Sequence, residues 1–246
     1  MFALEPGLLG PKLQSLGRAL HAHVTAILVV SAHWQTLDVH VMATAEPATI
    51  YDFGGFPEEL YRLTYPVAGS TVYAEKASRL LEEAGFPNVI DTTRGLDHGA
   101  WVPLRHLLPK PAVPVFQVSM PVNLKAPDAL RLGAALAPLR EQGVLIVGSG
   151  SLTHNLFEVF RGAPDAKYAQ TFVNWVRGAL ERRDFAQLAD YRRQAPDARR
   201  AHPTEEHFLP LLVAGGASAP ADSFSVLEGG MTYEVLSMDS FLWGRK

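Results

Sequence analysis

The 246-residue chain contains no cysteine. That excludes disulfides, thiolate metal sites and cysteine nucleophiles, although by itself it assigns no compartment. Charge is sparse as well: 19% of residues are Asp, Glu, Lys or Arg, and the formal net charge is −3. The Lys and Arg residues are scattered, and the one short cluster, Arg192-Arg193 with Arg199-Arg200, reads as a solvated face rather than a phosphate patch. A nucleic-acid partner is therefore not expected. No apolar run approaches the roughly 20 residues of a membrane-spanning helix. The opening MFALEPGLLGPKLQSLG has no basic segment followed by an apolar core, as a secretory signal would. The expectation is a cytoplasmic protein with no membrane partner. Also missing are HExxH, a G-x-S-x-G nucleophile elbow and a phosphate-loop lysine, so hydrolase and nucleotide motifs of the familiar spacings are excluded.

What is present is a core. With 48% hydrophobic residues over this length, the chain suits a single α/β domain across residues 1–246. Strand-length apolar runs recur in VTAILVV from Val24, LDVHVMAT from Leu37, VPVFQVSM from Val113, VLIVGSG from Val144 and TYEVLSM from Thr232. Continuous runs such as AILVV and VLIV fit strands buried on both faces. Helical segments alternate with them. Ser70 is predicted to cap TVYAEKASRLLEEAG, which Gly85 ends, and Ala126-Pro127-Asp128 opens a helix that Gly143 stops. Residues 166–183 carry Tyr168, Phe172, Trp175, Val176 and Leu180 on one helical stripe. The fold class is thus an α/β sandwich, with a central, mostly parallel or mixed sheet flanked by helices. Residues 46–70 and 186–204 are the least regular. The first, rich in Gly, Pro and aromatics, reads as a lid or binding loop.

Four histidines sit at element edges, where a scaffold presents chemistry. His33 ends the strand in ILVVSAHW, His98 follows its predicted cap Asp97 in GLDHGAW, and His154 follows GSGS in VLIVGSGSLTHNL. His207 lies in HPTEEHFLPLL, with Thr204 predicted as the helix cap and a helix dipole favouring neutral imidazole. Neutral imidazole is both a common metal ligand and a proton acceptor near neutral pH. The glycines of GSGS permit close approach of backbone or ligand. Trp34 offers an apolar wall, and His202 is placed to position the His207 turn. His21, His23, His40 and His106 read as ordinary surface or partly buried residues. Spacing alone points to a metal or acid–base site of dispersed histidines.

The motifs are more specific in combination. SAHW, YDFGGFPEELYRLTYPVAGS, GLDHGAWVPLRHLLP, GSGSLTHNL and HPTEEHFLPLLVAGGA occur in this order. Together they resemble the class III extradiol ring-cleaving dioxygenases of the LigB superfamily, over nearly the whole chain, and most closely its DOPA 4,5-dioxygenase-type members. The resemblance implies a non-haem Fe(II) site, with Zn(II) as another metal the subgroup binds, acting on a catechol-type substrate and O2. Carried over by motif, His33 and His207 are implied metal ligands. His154 is implied at the metal as a ligand or as the acid–base residue beside it, and His98 as the residue assisting the substrate hydroxyl. The loop from Tyr51 to Tyr65 is implied to cover the ring, with Trp34, Tyr51 and Phe53 lining the substrate pocket.

The family pattern also has a first strand ending in an HGSPM-like segment whose histidine supplies a further ligand. Met1 falls on the methionine of that segment, so this strand and its histidine are expected to be missing from the chain as written. Two other functions remain open on the residues alone: a zinc-dependent hydrolase, and a non-catalytic binding protein on the same fold.

Overall fold

A computed structural model describes residues 2–20, 22–162 and 165–244. Met1 and His21 lie outside the described residues. The longer helices, in chain order, are α1 (Leu9–Leu20), α2 (Thr71–Glu83), α3 (His98–Leu107), α4 (Ala126–Leu136), α5 (Lys167–Glu181) and α6 (Leu209–Gly216). The longer strands are β1 (Ala26–Ser31), β2 (Val39–Met42), β3 (Asn88–Asp91), β4 (Val115–Gln117), β5 (Val144–Ser149), β6 (Ser223–Leu227) and β7 (Ser240–Gly244).

The expected mostly parallel sheet is present. Its centre is β1, paired in parallel with β4 on one side (Ile27 opposite Val115) and with β5 on the other (Ala26 opposite Val144). Strand β1 reads AILVVS, and every residue of it is buried. An alternating pattern would have put polar side chains into one of its two packed faces. Full burial of side chains such as Ile27, Leu28, Val29 and Val30 is worth about 1.5–3 kcal/mol each. Strand β2 pairs in parallel with β3, and an isolated antiparallel bridge between Val41 and Val118 links it to the segment after β4.

Helices α2, α4 and α6 pack together against the sheet, while α1 and α3 pack on each other. Predicted boundaries hold in several places. Ser70 Oγ accepts the Tyr73 N–H at the start of α2, and Gly143, at φ 79°, closes the 3-10 turn (residues 137–142) that extends α4. Tyr168, Phe172, Val176 and Leu180 are buried on α5.

Three expectations need correction. The TYEVLSM run does not form a sheet strand: its Leu236–Ser237 folds back to pair with Met231–Thr232, which includes the run's own first residue, in a small ribbon outside the sheet. Residues 186–204 are not irregular; they hold short helical pieces, Phe185–Ala189, Tyr191–Gln194 and Ala198–Ala201, each too brief for an amphipathic period to register. Thr204 does not cap the His207 helix: α6 begins at Leu209, and His207 sits in the turn before it.

Strand C-terminal ends position the site. In an open parallel sheet these ends face the ligand crevice. His33 follows β1 by two residues, and His154 follows β5 by five.

Candidate metal centre

The four histidines meet. The rings of His33 and His98 lie with centroids 3.9 Å apart, His33 and His207 at 5.0 Å, and His154 and His207 at 3.4 Å. They open on one end of a cavity of about 510 Å³, lined there also by Gly99, Ser149, Gly150 and Ser151, that continues along Val144–Val147 of β5 and Leu9, Leu13 and Leu16 of α1.

Each ring is held by its own element, and the elements are tied together. Asp97, fully buried, caps α3 by accepting the Ala100 N–H at 3.2 Å. The same Oδ1 accepts the Ser31 hydroxyl from the end of β1 at 2.6 Å, and the His33 N–H reaches Ser31 Oγ at 3.2 Å. One carboxylate therefore joins the segments bearing His33 and His98. Pro103 inside α3 brings no N–H, so the carbonyl of Gly99 loses its helical donor. Ser149, at the end of β5, supplies the hydroxyl that Gly99 accepts.

The GSGS segment makes its close approach to backbone. A Cβ on Gly150 would stand 2.2 Å from the His207 carbonyl oxygen, which itself accepts the Ser151 N–H at 2.9 Å. The His154 N–H donates to Ala201 O at 2.8 Å, and the side chain of Asn155 donates to Arg200 O at 2.8 Å. His202 is fully buried, with Nε2 2.9 Å from Leu152 O. It thus clamps the His154 loop to the segment leading into His207, the positioning role expected of it. The arginine cluster is committed to local partners rather than to phosphate: Arg192 donates to His202 O, Arg193 pairs with Asp190, and Arg200 pairs with Glu158.

Burial governs the charge state of these rings. It pushes His207 down to about 2, with neighbouring His154 and His33 adding to the effect. Burial likewise holds His154 down to about 4 and His33 below its usual value. His202 is pushed down to about 3 by the same cause. His33, His154, His202 and His207 are therefore neutral near pH 7, through desolvation more than through a helix dipole. The consequence for stability has a definite sign. Below about pH 6.5 the unfolded chain binds protons at these imidazoles and the folded chain does not. The urea midpoint of metal-free protein is expected to be level above about pH 7 and to fall steadily from about 6.5 toward 4. A level midpoint across that window contradicts the buried, neutral assignment.

Two carboxylates that the sequence did not single out stand among the rings. Asp52, from the residue 46–70 loop, has Oδ1 3.0 Å from His98 Nδ1 and Oδ2 3.5 Å from His33 Nδ1. Glu206 shares a group with His154 and His207 in which donor atoms lie within 4.8 Å of one another, and His33, Asp52 and His98 form a second such group. Burial pushes the Asp52 carboxyl up, but the ring and backbone N–H of His98 together outweigh it and hold it at about 2. Nothing in the local sequence signals either carboxylate: Asp52 sits in an irregular loop, and Glu206 looks like one of two helix-start acids.

The expected pocket residues fall elsewhere. Trp34 is 5% exposed, with its ring against His40 and beneath Arg94. Tyr51 donates to Leu63 O and packs with Phe53, Tyr61 and Trp101. Phe53 meets the His98 ring edge-on at 5.4 Å. None of the three is among the residues lining the cavity. The loop that carries Tyr51 and Phe53 is pinned: Trp101 Nε1 donates to Ile50 O at 3.0 Å, and the Ile50 N–H to Leu96 O at 2.8 Å.

A donor set of neutral imidazoles with adjacent carboxylates fits Fe(II) or Zn(II). Comparisons with known proteins give the family. The sequence model described as "Catalytic LigB subunit of aromatic ring-opening dioxygenase" matches residues 13–237. The chain is 40% identical over 222 residues to "4,5-DOPA dioxygenase extradiol" of Beta vulgaris, covering 88% of this chain and 81% of that one. It is 34% identical over 247 residues to the protein of the same name from Escherichia coli (strain K12), covering 97% and 89%. A crystal structure of an uncharacterized Escherichia coli K12 protein superposes with a TM-score of 0.79 at 30% identity, covering 94% of this chain and 91% of the other. The histidine cluster is thus set in a chain that belongs to the LigB family of aromatic ring-opening dioxygenases.

Proposed function

We propose that the protein is a non-haem, metal-dependent extradiol dioxygenase that opens a catechol-type ring beside its hydroxyls with O2, using Fe(II), with Zn(II) as an alternative occupant of the site. The observation that carries the assignment of roles is the mutual orientation of the rings. His33 and His207 stand nearly perpendicular, at 80° with centroids 5.0 Å apart, a relation in which one nitrogen of each ring can serve a common ion. His154 and His207 are stacked, 3.4 Å apart at 12°. Stacked rings offer their nitrogens side by side rather than toward each other, which suits a ligand with a neighbouring acid–base group better than two ligands of one ion. His33 and His207 are accordingly the metal-holding pair, and His154 is the acid–base residue beside them.

When bound, Fe(II) supplies a Lewis acid that acidifies a coordinated phenol and brings the two substrates together. The chain's own residues do the rest. His154, neutral at pH 7, accepts the proton of the second catechol hydroxyl and returns it later in the cycle. His98, on the same cavity, holds the substrate hydroxyl. The pinned loop packs Phe53 behind the His98 ring and keeps bulk water from that side.

The test is O2 uptake after anaerobic Fe(II) loading, with a panel of catechols that includes DOPA. One O2 consumed per catechol, with a ring-opened semialdehyde product and none from zinc-loaded protein, is expected. If no catechol consumes O2 while zinc-loaded protein hydrolyses a test ester or amide, the hydrolase reading replaces this one. The non-catalytic reading requires neither activity and less than one metal bound per chain.

A further inference from the structure

Asp52 has no role in the assignments above, yet its carboxylate lies within 3.5 Å of ring nitrogens of two of the four histidines. Oδ1 accepts the backbone N–H of His98 at 2.8 Å, at the first residue of α3. The same oxygen lies 3.0 Å from His98 Nδ1, and Oδ2 lies 3.5 Å from His33 Nδ1. The approach to His98 Nδ1 is too oblique for a formed hydrogen bond, and that buried nitrogen has no hydrogen-bond partner among the described residues. The chain just before Asp52 is anchored: Ile50 and Tyr51 are tied to Trp101, Leu96 and Leu63.

We propose that Asp52 is the positioning residue that sets the tautomer and orientation of His98 and His33. A neutral imidazole carries one N–H, and an ionised carboxylate only accepts. With one carboxylate facing Nδ1 of both rings, both protons reside on Nδ1. Each Nε2, on the ring edge away from Asp52, keeps its lone pair. For His33 that lone pair is the one available to a metal, as outer carboxylates commonly arrange for ligating histidines. For His98 it is the atom that accepts a hydrogen bond from a substrate hydroxyl. One loop residue thereby prepares a ligand and a substrate-binding ring together. The catalytic half of this inference rests on the dioxygenase reading; the tautomer half does not.

The test has two arms. The first is long-range 15N–1H correlation of the histidine rings in metal-free protein at about pH 8, well above the reference imidazole value of about 6.5. His98 and His33 are expected as Nδ1–H tautomers in the wild type, and D52N is expected to shift His98 toward Nε2–H. Wild-type rings protonated on Nε2 overturn the proposal without any variant or activity. The second arm is turnover of Fe(II)-saturated D52N, expected to fall about 10- to 100-fold in kcat with KM within about threefold. D52E, which keeps the carboxylate, is expected to recover part of the loss. Unchanged kcat in D52N overturns the positioning role, and loss of the metal from folded D52N makes Asp52 a ligand instead. If the wild type opens no catechol, the function reading fails while the ring spectra still decide the tautomers.

Discussion

Replacing His207 by alanine is expected to empty the site and to lower turnover by about a thousandfold or more. His207 is 9% exposed and makes its main ring contacts with His33 and His154. Burial keeps it neutral at any working pH, so its lone pair is always available. No ring partly turned to solvent can replace it. A Lewis-acid metal contributes several kcal/mol of transition-state stabilisation, and at about 1.4 kcal/mol per decade that corresponds to the loss stated. The fold is expected to survive, because the backbone carbonyl that receives the Ser151 N–H is untouched. Metal per chain after loading, measured beside circular dichroism and O2 uptake, checks this. A folded H207A protein that still binds one equivalent of metal would remove His207 from the ligand set.

His154→Phe separates the two roles that the resemblance left open for His154. Phenylalanine keeps a flat ring against His207 but carries no nitrogen. The stacked geometry predicts that the metal stays and that turnover falls by about 10²–10⁴, the usual contribution of general acid–base catalysis. The Asn155 and His154 backbone bonds to Arg200 and Ala201 hold the loop in either protein. If the variant also loses its metal, His154 is a ligand and the inference from the stacked rings is wrong. Unchanged turnover excludes it from the chemistry.

Much of this arrangement was legible before any coordinates. The continuous apolar run around Ile27 announced a strand covered on both faces; the run around Leu145 pairs with it in parallel, but against expectation it is only half-buried from Leu145 to Val147. Asp97 and Ser70 announced helix starts, since short side chains that accept an N–H leave a local signature. The four histidines were visible as residues at element edges. What the sequence did not disclose depends on contacts distant in the chain. Thr204 carries the residue type of a cap, but its hydroxyl turns to Glu206 and α6 starts later, behind Phe208. The antiparallel pairing of β6 with β7, Ser240 opposite Leu227, joins two short runs with no turn signal to mark them as partners. Trp34 follows the strand-end histidine and reads as a pocket wall, but the chain turns it into the core toward His40. Asp52 is 46 residues from His98, and only the folded loop brings them together.

The most direct test of the metal centre is a crystal structure of the Fe(II)-loaded protein, prepared without oxygen, with the iron located by its anomalous scattering. The peak is predicted about 2.0–2.3 Å from one nitrogen each of His33 and His207, the range of metal–imidazole bonds, and beyond bonding distance of both His154 nitrogens. Iron bonded to His154 in the plane of its ring, or absent from the His33–His207 pair, would contradict the account.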